Sequence, residues 1–126
     1  MKQQFYTCRH CGNMMAMIHD AGVPVQCCGE KMQNIEAGVV EASLEKHVPV
    51  AKIEGNLVLV EIGSVLHPMT EEHLIEWVAV ETKDGYQVKY FAPTDTPEVA
   101  FALKAGDEIV GVYAYCNLHG LWKADI

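Results

Sequence analysis

Apolar and polar residues alternate with a period of two along much of this chain, in short runs rather than long ones. Such alternation turns one face of a strand toward a core and the other toward water. After a brief β-prone start at Phe5-Tyr6-Thr7, Met14 to Ile18 reads as a strand. From residue 37 onward the runs become dense: Val39 to Ala42, His47 to Ile53, Leu57 to Ile62, Leu74 to Glu81, Tyr86 to Phe91, Val99 to Leu103 and Ile109 to Cys116. Gly55-Asn56, Asp84-Gly85 and Ala105-Gly106-Asp107 supply turn signals between several of them. Asp84-Gly85, set between Trp77–Thr82 and Tyr86–Tyr90, predicts a hairpin. No helix of ordinary length, repeat or low-complexity stretch interrupts the series. About seven strands with frequent turns predict an antiparallel sandwich over residues 37–126.

Residues 1–36 follow a different logic. A segment of that length buries too little apolar surface to fold alone. It carries four of the five cysteines, at Cys8, Cys11, Cys27 and Cys28. Cys8-Arg9-His10-Cys11-Gly12 aims two sulfurs at one point, with the glycine permitting the reversal. Together the four thiols can form a tetrahedral S₄ site for iron or zinc, and the metal would staple the unit. Cys27 and Cys28 are adjacent, and neighbours on an extended backbone point to opposite sides. Both can reach one ion only if the backbone bends there. Two disulfides are the competing reading, but a strained Cys27–Cys28 bridge adds nothing to it.

Composition narrows the class. The chain has 126 residues, half of them hydrophobic, enough for a real core. A net charge of −8 and the lack of a basic stripe argue against nucleic acid. No apolar stretch is long enough to span a bilayer. The segment Met1 to Cys8 has no apolar signal-peptide core, so the cytoplasm is the expected setting. In a reducing compartment, clustered cysteines favour metal thiolates over disulfides.

The fifth cysteine opens a second site. Cys116-Asn117-Leu118-His119 delivers a thiol and an imidazole together at the end of an apolar run. Three of the other histidines, His47, His67 and His73, fall at predicted strand ends and loops, where a sandwich can gather distant side chains. Four imidazoles and one thiolate exceed the usual four-ligand structural zinc site. They suit a five-coordinate iron with one position left for a small molecule. A blue-copper arrangement would want a methionine after the closing histidine, and none follows His119.

These motifs carry a resemblance over essentially the whole chain. Cys8-Arg-His-Cys-Gly-Asn, Cys27-Cys28-Gly, Glu45-Lys46-His47-Val-Pro, His67-Pro-Met with His73, and Cys116-Asn-Leu-His119-Gly-Leu-Trp together resemble the desulfoferrodoxins, the two-iron form of superoxide reductase. The resemblance implies an all-β protein: a desulforedoxin-like or rubredoxin-like metal domain at 1–36, then an immunoglobulin-like β-sandwich catalytic domain at 37–126. It implies two iron ions per chain and neither haem nor flavin. One would be Fe(Cys)₄ on Cys8, Cys11, Cys27 and Cys28. The other would be Fe(His)₄Cys, with His47, His67, His73 and His119 equatorial and Cys116 axial. It further implies one-electron reduction of superoxide to hydrogen peroxide, a rubredoxin-type electron donor and a homodimer. Two catalytic roles follow from the same motifs. Lys46 would attract the anion, and Glu45 would ligate the ferric ion after turnover. The competing classes are an iron electron carrier without substrate turnover and a zinc-stapled binding module.

Overall fold

The computed structural model describes residues 3–38, 44–63 and 65–126, with the side chains of Leu44 and Glu45 outside that description. The chain divides into two compact units, Met1–Glu36 and Ala37–Ile126. None of the described helices is long and apolar enough to cross a membrane.

The first unit is made of short pieces. Strands β1 (Gln4–Thr7), β2 (Met14–Met17) and β5 (Gln33–Asn34) form one antiparallel sheet in the order β2-β1-β5. Strands β3 (Gln26–Cys27) and β4 (Glu30–Lys31) form a two-stranded ribbon. Phe5 and Cys8 are its buried apolar residues among those described. Alternation in the sequence marks β1 and β2; the two-residue strands are too brief to leave a period.

The second unit is a two-sheet sandwich of immunoglobulin-like form. One turn of helix, α1 (Leu44–His47), leads into β6 (Pro49–Glu54), β7 (Leu57–Ile62), β8 (Ile75–Thr82), β9 (Tyr86–Tyr90), β10 (Glu98–Ala102), β11 (Ile109–Cys116) and β12 (Gly120–Asp125). The sheets run β10-β7-β6 and β12-β11-β8-β9, antiparallel throughout. Val58, Val60 and Ile62 on β7 and Phe101 on β10 meet Val78 and Val80 on β8 and Val112 and Ala114 on β11 in one core. Cys116 belongs to that same buried cluster.

Several expectations change in detail. His47 closes the helical turn instead of starting a strand, because Pro49 is the first residue to enter the ladder. The run Val39 to Ala42 lies outside the described residues. The β8–β9 hairpin turns one residue earlier than Asp84-Gly85 suggests. Thr82 pairs with Gly85, its N–H donating to that carbonyl at 2.8 Å, so Lys83-Asp84 is the loop. Strand β12 has no counterpart in the alternation. Leu121 and Trp122 are both buried, and two apolar neighbours in a row break a period of two.

One irregularity shapes the site. Between β11 and β8, Tyr115 faces Trp77 but Cys116 faces Ile75, so Glu76 is skipped. A bulge of this kind re-aims the residues beyond it. Cys116 and Ile75 both turn into the core, while Tyr115 stacks on Trp77 at 5.6 Å on the other face.

Candidate metal centres

In the first unit, the chain reverses just after β1. The Gly12 N–H donates to the Cys8 carbonyl at 2.9 Å, and the Cys8 N–H donates to Asn13 O at 2.8 Å. Gly12 has φ +81°, a left-handed value that a side chain would strain. The other pair meets the requirement posed by its adjacency: Cys28 has φ +54°, so the backbone bends between the two cysteines. All four sulfurs then lie within 4.8 Å of one another.

Their electrostatics suit a cation. The backbone N–H of Cys11, then that of His10, lowers the Cys8 pKa to about 6. Contacts with the Cys11 and Cys8 thiols push Cys28 up to about 12 and raise Cys27 as well. Four thiols so close cannot all ionise unless a positive ion sits among them. Asn13 also faces the sulfurs, its N–H 3.4 Å from Cys11 Sγ and its Nδ2 3.7 Å from Cys27 Sγ. Glu30 ties the two cysteine turns together, accepting from Arg9 Nε at 2.7 Å and meeting His10 Nε2. His19 is exposed and belongs to neither centre.

In the second unit, four histidines form a ring. Neighbouring centroids lie at 4.6 Å (His47–His67), 4.6 Å (His67–His73), 5.1 Å (His73–His119) and 4.8 Å (His119–His47), each pair nearly perpendicular. The His47–His73 diagonal is longer, at 6.3 Å, as in a square. Donor atoms of His47, His67, His73 and Cys116 all fall within 4.8 Å of one another. His119 joins through Nδ1, which is 3.1 Å from His47 Nε2 and 3.8 Å from Cys116 Sγ. These five residues come from α1, the β7–β8 loop, the end of β11 and the β11–β12 turn.

The nitrogens are specified by their surroundings. His67 Nδ1 bonds to the carbonyl of Pro68 at 2.7 Å, which directs Nε2 inward. Nε2 of His67 and of His73 are buried and have no hydrogen-bond partner. An unpaired buried polar atom costs about 1–3 kcal/mol. Two of them converging beside a thiol fit a metal that would use their lone pairs. Burial pushes the His67 pKa down to about 4, and burial followed by the charges of His119, His47 and Lys46 lowers that of His73. Both rings are therefore neutral at pH 7, the form that ligates. Burial pushes the Cys116 thiol up, so its thiolate needs a cation beside it.

Lys46 is exposed next to His47, and its charge reaches His73. The Glu45 side chain lies outside the described residues. Trp122 reads from the sequence as a core or site-lining residue, and it stands behind the candidate donors. Trp122 stacks on the His47 ring at 5.0 Å, and its Nε1 donates to the His119 carbonyl at 3.1 Å. Its place in an apolar pair next to Gly120 was the available signal.

An all-β chain with one thiol-only cage and one histidine-thiol cage defines a class of small non-haem metalloproteins, and both donor sets fit iron. Comparison with known proteins narrows this further. The sequence model described as desulfoferrodoxin matches residues 39–125. A desulfoferrodoxin from Nitratidesulfovibrio vulgaris is 43% identical over 122 residues, spanning 97% of this chain and 95% of that protein. The crystal structure of the superoxide reductase from Treponema pallidum is 38% identical and covers 98% of both chains, with a TM-score of 0.83. A one-iron superoxide reductase from Giardia intestinalis is 32% identical and covers 65% of this chain and 97% of its own, with a TM-score of 0.55. The chain belongs to the desulfoferrodoxin family.

Proposed function

We propose that this chain is a superoxide reductase, converting superoxide to hydrogen peroxide at the histidine-thiol centre. The observation that carries this reading is the square of four imidazoles with Cys116 beside it. An iron ion held by these five donors would still have room to take up one small molecule. The balance is simple: superoxide gains one electron and two protons, and an external donor restores the electron. His47, His67, His73, His119 and Cys116 would hold the iron, which would supply the one-electron chemistry.

The chain's own residues do the rest. Neutral imidazoles at His67 and His73 offer lone pairs without competition from protons at pH 7. The Cys116 thiolate is a strong electron donor to the metal; in haem proteins the same ligand raises electron density at iron. Buried at 0% exposure, it is shielded from the peroxide product. The net charge of −8 repels superoxide at long range. Lys46, exposed beside His47, focuses a local positive field and raises the encounter rate. Glu45, two residues before His47, is assigned as the hard anionic donor that favours the oxidised ion. Cys8, Cys11, Cys27 and Cys28 hold the other iron, which staples the first unit. A rubredoxin-type donor, a homodimeric assembly and a cytoplasmic setting complete the proposal.

The deciding experiment feeds superoxide to the reduced, iron-loaded protein and measures superoxide, peroxide and oxygen together. Reductase activity yields one peroxide per superoxide and no oxygen. Oxygen release would mean dismutation, and no consumption would mean an electron carrier. Lys46→Ala should slow capture roughly tenfold at low salt with an unaltered metal spectrum. A rate that ignores both the substitution and ionic strength would remove Lys46 from the mechanism.

A further inference from the structure

The strand that ends in Cys116 meets the loop that carries His73 through a single residue, Asn117. Its Oδ1 accepts from the Leu74 N–H at 3.0 Å. Its Nδ2 donates to the Glu72 carbonyl at 3.0 Å. Its own N–H donates to the Leu74 carbonyl at 3.2 Å. The residues on both sides of His73 are thus held by the residue that follows Cys116.

The ordinary β ladder is disturbed at this point. The β11–β8 register shifts between Tyr115 and Cys116, where Glu76 is skipped. A bulge bends the strand and interrupts its ladder locally. His73 itself is closed locally by Thr70: the His73 N–H donates to Thr70 Oγ1 at 3.1 Å, and the Thr70 N–H donates to the His73 carbonyl at 2.9 Å. That closure fixes the shape of the turn but not its position against Cys116. Cys116 pairs with Ile75, and the Asn117 side chain adds the bonds that hold Glu72 and Leu74, the two neighbours of His73, against the end of β11. The chemistry required is narrow. One short planar side chain must accept from an N–H and donate to a C=O at once. Aspartate accepts only, serine is too short to span both, and leucine does neither.

We infer that Asn117 is a positioning residue for the second centre, locking the His73 loop in register with Cys116. The inference rests on reading His73 and Cys116 as ligands, and not on the identity of the substrate. An ordinary loop staple would stabilise the unit without directing the His73 ring. The alignment proposed here acts on that ring, whose Nε2 is buried and unpartnered.

The test uses the full chain loaded with Zn²⁺ and labelled with ¹⁵N, so that each metal-bound imidazole nitrogen is resolved by NMR. In the wild type, Nε2 of His73 should carry a zinc-bound shift. In Asn117→Asp and Asn117→Leu, the His73 signal should move or broaden selectively while that of His67 holds. Zinc should also leave the second centre for a chelator at least about tenfold faster, the scale of loss for outer-shell supports. Unchanged His73 signals and zinc release in both folded variants would overturn the inference, even with a lower unfolding temperature. A wild type whose His73 shows no zinc-bound nitrogen would overturn the ligand reading itself, and the inference with it. Should neither variant fold, the wild type still decides. A through-bond coupling from Asn117 Nδ2–H to the Glu72 carbonyl supports the clamp, and its absence overturns it.

Discussion

In the first unit the strands are two to four residues long, and Phe5 and Cys8 are the buried apolar residues among those described. In the second they are five to eight residues long and enclose a continuous core from both sheets. Each unit gathers metal donors, but the energy that gathers them has a different source. Of the thiols of the first unit, Cys11 and Cys28 sit on turns, Cys28 at φ +54°, Cys27 ends the two-residue strand β3, and Cys8 alone is buried. The donors of the second unit rise from a frame that apolar burial already supports. The same kind of site can thus be the cause of a fold or its product, and burial tells which.

Metal removal tests this difference most severely. Structural metal sites contribute on the order of 10 kcal/mol to folding. Stripping both ions should unfold the first unit while the sandwich keeps its sheets, as seen by residue-resolved hydrogen exchange. Protected amides in β1 and β2 of the metal-free protein would break the comparison. Cys11→Ser sharpens it by emptying one centre. It should abolish metal binding at the first centre, yet leave one-turnover reduction of superoxide by the pre-reduced second centre intact. Loss of both functions would mean that the sandwich site depends on the thiol cage.

The next largest effect lies in the core. Phe101 is fully buried between the sheets, so Phe101→Ala should cost about 3–5 kcal/mol in urea unfolding of the second unit. The charge-transfer spectrum of the first centre should not move. A coincident loss of first-centre metal would show that one cooperative unfolding event governs both units.

The sequence made different parts of this picture visible for physical reasons. Cys8-x-x-Cys11 is legible because its geometry is local to one turn. Strands β7 and β11 are legible because one face of each is buried, and the period of two survives intact. Strand β12 is not, since Leu121 and Trp122 are buried in succession. The histidine set could be collected by type, but its square arrangement is assembled from α1, the β7–β8 loop and the β11–β12 turn, and their meeting leaves no mark in composition. Which nitrogen faces inward is equally invisible, because at His67 it depends on the Pro68 carbonyl. Asn117 stood inside a recognised motif, yet its partners are residues 72 and 74, and only folding brings them near.

The smallest predicted effect concerns a carboxylate just before β11, at the opposite end of that strand from Cys116. Asp107 Oδ1 accepts from the Glu108 N–H at 2.9 Å and from the Asp84 N–H at 3.3 Å, linking the turn before β11 to the β8–β9 hairpin. The Thr82 hydroxyl, then the Glu108 and Asp84 N–H groups, hold its pKa below the ordinary value of 3.8. A folded pKa below the unfolded one means that the unfolded chain binds the proton first as pH falls. The stabilisation is therefore complete above the unfolded value and disappears as pH drops through the folded one. Asp107→Asn keeps one acceptor but removes the charge. Its urea midpoint for the second unit should lie slightly below wild type at pH 7, and the gap should close in acid below the usual carboxylate range. Since Asp107 is not among the donor residues, metal content at both centres should stay the same. A gap that persists unchanged into acid would assign the effect to hydrogen-bond geometry alone, and the sandwich would then owe nothing to this charge.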